Sequence, residues 1–196
     1  MVRRRLICAW LTLALLGQAG IALATDVLPL SFDEVTERAS AIALVETLSV
    51  RSDWRTNAQG THIVTVVTFK VERGLKGQLG QQLQLEFLGG RIGSEAMEVD
   101  GMPQFAVGDR DVLFLSPNRN SIAPIVGMYQ GRFRLEGDRA AGTDRILTHD
   151  RKPFTVATAG PHRLRSTLFS PIRPLPYAQF EALILQGIVP EARGLR

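Results

Sequence analysis

V-D-G-M-P-Q-F-A-V-G-D-R-D-V-L-F-L, residues 99–115, is the stretch on which the reading of this chain turns. It holds an Asp-Gly turn at Asp100-Gly101, a chain-fixing Pro103, a single buried-type aromatic at Phe105 and a second turn at Gly108-Asp109. It then enters a wholly apolar run, Val112-Leu113-Phe114-Leu115. Four apolar residues directly after a Gly-Asp turn predict a central strand covered on both faces. The segments on either side should then supply its neighbours in a barrel or sandwich.

Upstream, Ser31-Phe32-Asp33-Glu34 has the spacing of a capping box and predicts a short helix from about Phe32 to Ala39. Ala41–Arg51 is mostly apolar and reads as the first strand, and the polar Ser52–Gly60, with Trp54 in it, reads as a loop. Thr61–Glu72 is the longest strand candidate, rich in Thr, Val and Ile, with Ile63, Val67, Phe69 and Val71 mainly on one face. Gly74-Leu75-Lys76-Gly77 should break it. Gln82–Leu88 alternates, with Leu83, Leu85 and Phe87 inward, as a strand buried on one side does. Gly89-Gly90 ends it, and Gly93–Glu98 leads back, as a loop or a short strand, to the Asp100-Gly101 turn.

Downstream, Ser116–Ser121 is a cluster of turn residues. Ile125–Tyr129, Gly131–Leu135 and Arg145–Thr148 read as strands, with Glu136–Gly142 as a polar hairpin loop. About six or seven short strands at this spacing predict an all-β, mainly antiparallel sandwich or barrel. Pro153, Pro161, Pro171, Pro174 and Pro176 then mark an extended linker. Tyr177–Gln186 follows as an amphipathic helix, with Tyr177, Phe180, Leu183 and Ile184 on one face and Gly187 as its stop.

The N-terminus has Arg3-Arg4-Arg5, an apolar run from Leu6 to Leu16 and Ala22-Leu23-Ala24, the three parts of a secretory signal peptide cleaved after Ala24. The domain reading is therefore 1–24 signal, 25–150 β domain, and 151–196 a Pro-rich basic tail with its helix. Cys8 is the one cysteine and leaves with the signal, so neither a disulfide framework nor thiol chemistry is expected. An exported chain without disulfides suits a bacterial periplasm or exterior. No further segment has membrane length.

The formal charge of +4 is reduced to about +1 once Arg3, Arg4 and Arg5 are removed. Residues 25–150 carry 13 Lys/Arg against 17 Asp/Glu, whereas residues 151–196 carry 7 against 2. An acidic body with a basic tail, and no basic stripe interleaved with aromatics, argues against nucleic-acid binding.

Candidate chemistry is sparse. His62, His149 and His162 show no zinc spacing, and no H-E-x-x-H is present. His149-Asp150 is the one pair that offers a metal or triad fragment. Ser94 lacks a nucleophile elbow, and Gly74–Gly80 lacks the order of a phosphate loop and reads as a hairpin turn. Asp109 with Asp111, and Glu95, Glu98 and Asp100, have the chemistry of cation ligands, but such groups beside turns are ordinarily solvated. No residue is nominated as catalytic, cofactor-binding or metal-ligating.

Taken together, Ala41 and Val45, Val71 with Leu75-Lys76-Gly77, Gly89-Gly90, the G-x-P-x-F of Gly101, Pro103 and Phe105, and the strand at Gly108–Leu115 form a pattern over about Ser31–Leu135. The pattern resembles a group of uncharacterised secreted bacterial proteins built on this small β core. The resemblance implies export and fold, and no site. More faintly, the strand ending in Lys76-Gly77 is similar to the OB-like barrel of netrin-type and metalloprotease-inhibitor modules. Those modules depend on cysteines that the mature chain lacks, so an OB-like topology is all that likeness implies. The functional expectation is an exported, non-catalytic β-barrel protein, with no cofactor, that binds or accompanies another exported protein or an envelope component. The alternatives are a hydrolase built on His149 and Asp150, or a protease-modulating module.

Overall fold

A computed structural model describes residues 28–58, 60–118, 123–137, 142–154 and 174–188. Residues 1–24, read above as a signal peptide, His162 and most of the Pro-rich linker lie outside the described residues. A short helix, α1 (Phe32–Arg38), is followed by eight strands: β1 (Ala41–Asn57), β2 (Gly60–Lys76), β3 (Gln82–Leu88), β4 (Gly90–Ile92), β5 (Glu95–Met97), β6 (Arg110–Leu115), β7 (Arg132–Glu136) and β8 (Arg145–Thr148). A two-residue strand, β9 (Leu175–Pro176), and a second helix, α2 (Tyr177–Ile188), complete it. Seven strands form one sheet in the order β3-β2-β1-β6-β7-β8-β9, every pairing antiparallel, and β4 pairs with β5 separately. The all-β expectation, with one helix near each end, is met.

The apolar run of 99–115 lies in the middle strand of that sheet. Alternation along β6 sends Val112 and Phe114 to one core and Leu113 and Leu115 to the other, and all four are fully buried. β1 beside it divides in the same way, Ile42 and Leu44 against Ala41, Ala43 and Val45. The first core is roofed by both helices. Phe32 of α1 and Phe180 of α2 meet Phe114, Phe133 and Phe154 at ring separations of 4.9–6.4 Å. The second core gathers Val67 and Phe69 of β2, Leu83, Leu85 and Phe87 of β3, and Ile125, with Met102 and Phe105 of the long loop packed against it.

Helix α1 begins as its sequence requires. Ser31 Oγ accepts from the Glu34 amide at 3.3 Å, and the Glu34 carboxylate accepts from the Ser31 amide at 2.8 Å. It ends at Arg38, because Ala39 is already extended.

Three expectations are corrected. Ser52–Gly60 is not a loop: β1 runs 17 residues to Asn57 and turns straight into β2. Its polar residues form a strand because half of a projecting ribbon faces water. The Gly74-Leu75-Lys76 segment does not break β2, since Gly74 pairs with Ala43 and Ile42 with Lys76, and the turn comes at Gly77. Gly77 has φ +72°, and a Cβ there would lie 2.6 Å from the Ser40 carbonyl oxygen, so the position excludes any side chain. Ile125–Tyr129 is not a strand: Ile125 makes one bridge to Leu115, and turns then carry the chain to Arg132.

The described part of the tail packs onto the first core. Phe154, Leu175, Phe180 and Ile184 are all buried in it. Helix α2 extends through Gly187 to Ile188, one residue past the expected stop.

Candidate functional site

Between β5 and β6 the chain forms the long loop 98–109. Asp100-Gly101 turns it, with the Met102 amide donating to the Val99 carbonyl at 3.2 Å. Phe105 then drops onto the second core, 5.1 Å from the rings of both Phe69 and Phe87. The guanidinium of Arg132 lies over the Phe105 ring at 4.0 Å, a cation–π contact. Arg132 also donates to the Gln104 carbonyl, to Asp111 through two bonds of 2.9 and 3.0 Å, and to Asp109 at 3.2 Å. Arg134 adds a 3.0 Å ion pair to Asp109.

Both aspartates are therefore engaged by arginines and not free for a cation. Asp111 is fully buried and bridged by a guanidinium, so this expectation is corrected as well. Burial pushes its carboxyl up, and the charge of Arg132 opposes that shift. Sequence reading missed Arg132, because R-F-R-L places both arginines on the polar side of an alternating strand. What covers that side is the loop, 28 residues away along the chain at Gln104. A second buried group, also missed, joins Arg110 to Asp144 at 2.6 Å and to Glu72 at 3.0 Å.

The other feature with chemical content surrounds His149. A pocket of about 540 Å³ is floored by Phe32, Val35, Phe133 and Phe154 and rimmed by Gln130, Thr148, His149, Asp150 and Lys152. Gln130 also fastens the N-terminal segment, accepting from the Leu30 amide at 2.6 Å and donating to the Leu28 carbonyl at 3.0 Å. The His149 ring lies 4.2 Å from that of Tyr129, and its burial lowers its pKa below the ordinary 6.5. Asp150 does not face it as a triad acid would. Its carboxylate takes the Lys152 ammonium at 2.7 Å and the Thr148 hydroxyl, and these partners lower it to about 2.

The remaining candidates stay apart. His62 is half-buried on β2 opposite Arg55, and Ser94 is exposed in the β4–β5 turn. Glu95, Glu98 and Asp100 are exposed, and among the described residues no cluster of three or more His, Cys, Asp or Glu could hold a metal ion. Gly77 turns β2 into β3, as expected of a hairpin. The Tyr177–Ile184 stripe is core: Phe180 and Ile184 are fully buried, with Tyr177 and Leu183 packed beside them. Burial, with Glu181 next to it, raises the Tyr177 phenol to about 12.

No helix among the described residues is long and apolar enough to cross a membrane. Comparison with protein-family models, with curated proteins and with solved structures returned no match.

Proposed function

We propose that the chain is an exported, non-catalytic binding module that receives an apolar group of another exported protein or envelope component in the pocket beside His149. Its export rests on the N-terminal pattern ending at Ala24. The observation that carries the binding reading is the pocket's division of labour. Its floor of Phe32, Val35, Phe133 and Phe154 is apolar, while the charges of Asp150 and Lys152 on its rim are occupied with each other. Such a recess stabilises an apolar guest through area removed from water, about 25 cal/mol per Å², and leaves its rim to orient the guest.

A second reading, a hydrolase using His149, has one observation in its favour. The lowered pKa keeps the imidazole neutral, the state a general base needs. Against it, the adjacent carboxylate of Asp150 is engaged by Thr148 and Lys152.

The test is a crosslinking pull-down from the exported fraction with the intact protein and with Lys152→Trp, which crowds the mouth from an exposed position. One enriched partner that disappears with Lys152→Trp is the expected result. A partner held equally by both forms would sink the pocket reading. Truncation at residue 150 is a poor probe, because it removes Phe154, Leu175, Phe180 and Ile184 from the core. Turnover abolished by His149→Ala would install the hydrolase reading instead.

A further inference from the structure

Among the described residues, one side of the outer half of β1 has no paired strand. β6 pairs with β1 only over Ala41–Glu46, and the next contact is Thr47, whose amide donates to the Asp109 carbonyl and whose carbonyl accepts from the Gly108 amide. From Leu48 to Asn57 the strand pairs with β2 alone. Asn57 faces Gly60 across a two-residue turn, so alternation of the antiparallel ladder points the backbone groups of Thr56, Trp54 and Ser52 away from β2. Trp54 shows this directly: its amide donates to the Asp53 carboxylate at 2.9 Å, and its carbonyl accepts from Arg55 at 3.0 Å. Among the described residues six large apolar side chains are exposed; Leu48, Val50 and Trp54 lie on this half-strand, and Val107 lies in the turn where it begins.

We propose that this edge pairs with the same edge of a second copy of the chain, antiparallel, about a two-fold axis through Trp54. The sequence along the edge selects that register. Axes through Arg51, Asp53 or Arg55 set like charges opposite one another, which destabilises a strand pair. An axis through Ser52 brings two copies of β4 together, because β4 crosses β1 at that residue. The Arg91 amide donates to Ser52 Oγ at 3.1 Å, and a Cβ on Gly90 would lie 2.6 Å from the same oxygen. An axis through Trp54 separates the β4 strands. It sets Trp54 against Trp54, Ser52 against Thr56, and Asp53 against Arg55 twice. Each Arg55 is already held by Glu86 at 2.6 Å, so the new pairs join two existing ladders into one row of alternating charge.

The side-chain bonds that now cover Trp54 pass to backbone partners when the edges meet. A symmetric interface of this kind is self-complementary and closed, so it ends at a dimer. The contact is smaller than a standard interface of about 1,600 Å², so association should be reversible and concentration-dependent.

Sedimentation equilibrium of the purified protein over a wide concentration range is expected to show a monomer–dimer equilibrium. Thr56→Pro removes an outward amide and, of the β1–β2 contacts, only the exposed 3.0 Å hydroxyl bond to Thr61, and Asp53→Arg faces Arg55 of the second copy; each should weaken association about tenfold or more. Both should keep the thermal midpoint, which separates loss of pairing from loss of fold. Register is read separately. In a Cys8→Ser background, Trp54→Cys should crosslink to itself under mild oxidant, and Ser52→Cys should crosslink only when mixed with Thr56→Cys. A monomer at every concentration, a dimer indifferent to Thr56→Pro and Asp53→Arg, or self-crosslinking of Ser52→Cys in place of Trp54→Cys would each overturn the proposal.

Discussion

The two halves of β1 belong to one unbroken strand and live in opposite environments. From Ala41 to Val45 all five residues are buried, lying between β2 and β6 with a core on each face. From Leu48 onward, among the described residues, the strand pairs with β2 alone, and Leu48, Val50 and Trp54 are 37–41% exposed. The change comes at a bulge: Thr47 pairs with Phe69 and Ser49 with Thr68, so Leu48 is an extra residue. A bulge bends the strand and sharpens its twist, and here it separates the part held by two cores from the part that projects. Strand identity therefore says little about stability. What decides is how many layers lie over each residue.

The sharpest way to break this comparison is Asp111→Ala. Asp111 sits opposite Val45 at the end of the inner half, and its loss leaves the Arg132 guanidinium buried without its main partner. Denaturant unfolding should show a loss of about 3–5 kcal/mol. A loss below 1 kcal/mol would mean that Asp109 alone can hold Arg132.

Gly101→Val comes next. Gly101 has φ +75°, and a Cβ there would meet the Tyr129 ring at 3.2 Å. A β-branched residue in that left-handed conformation should cost about 1–2 kcal/mol or more and lower the thermal midpoint. An unchanged midpoint would mean that the turn residues of 99–109 do not serve the architecture.

The effect of His149 is smaller and depends on pH. Its folded pKa lies below the ordinary 6.5, so the unfolded chain binds that proton more readily. Stability from this group is complete above about 6.5 and falls as the pH drops below it. His149→Phe keeps a ring on Tyr129 and has no proton to gain. Its denaturation midpoint should therefore fall less than that of the parent between pH 7 and pH 5. Equal falls in the two proteins would place the acid sensitivity elsewhere.

Trp54→Ser, in the outer half, is the smallest. It should change the unfolding free energy of the dilute protein by about 0.5 kcal/mol or less. A loss near that of Asp111→Ala would erase the distinction between the two halves.

Much of the fold was legible because its signals are local. The capping box set the start of α1, alternation in Gln82–Leu88 set the faces of β3, and four consecutive apolar residues marked β6 as the middle strand. The misreadings share one cause. Ser52-Asp53-Trp54-Arg55 has the composition of a loop, and in a ribbon with one partner strand a polar residue costs nothing. The reverse error hid Arg132, where a charge on the alternating polar side turned out to be covered. His149-Asp150 was visible as a pair, but adjacency does not fix orientation, and Asp150 turned to Lys152.

By itself, then, the sequence determined the class of fold, the central strand, the helix at each end and the lack of cysteine chemistry in residues 25–196, since each follows from periodicity, capping or composition within a short window. Only the tertiary structure decided which charges are buried, where β1 leaves the sheet, and which surfaces stay open. Those outcomes depend on what a distant segment lays over a residue. Arg132 and Gln104, or Gly77 and Ser40, become neighbours only when the sheet has formed, and no local pattern encodes that meeting.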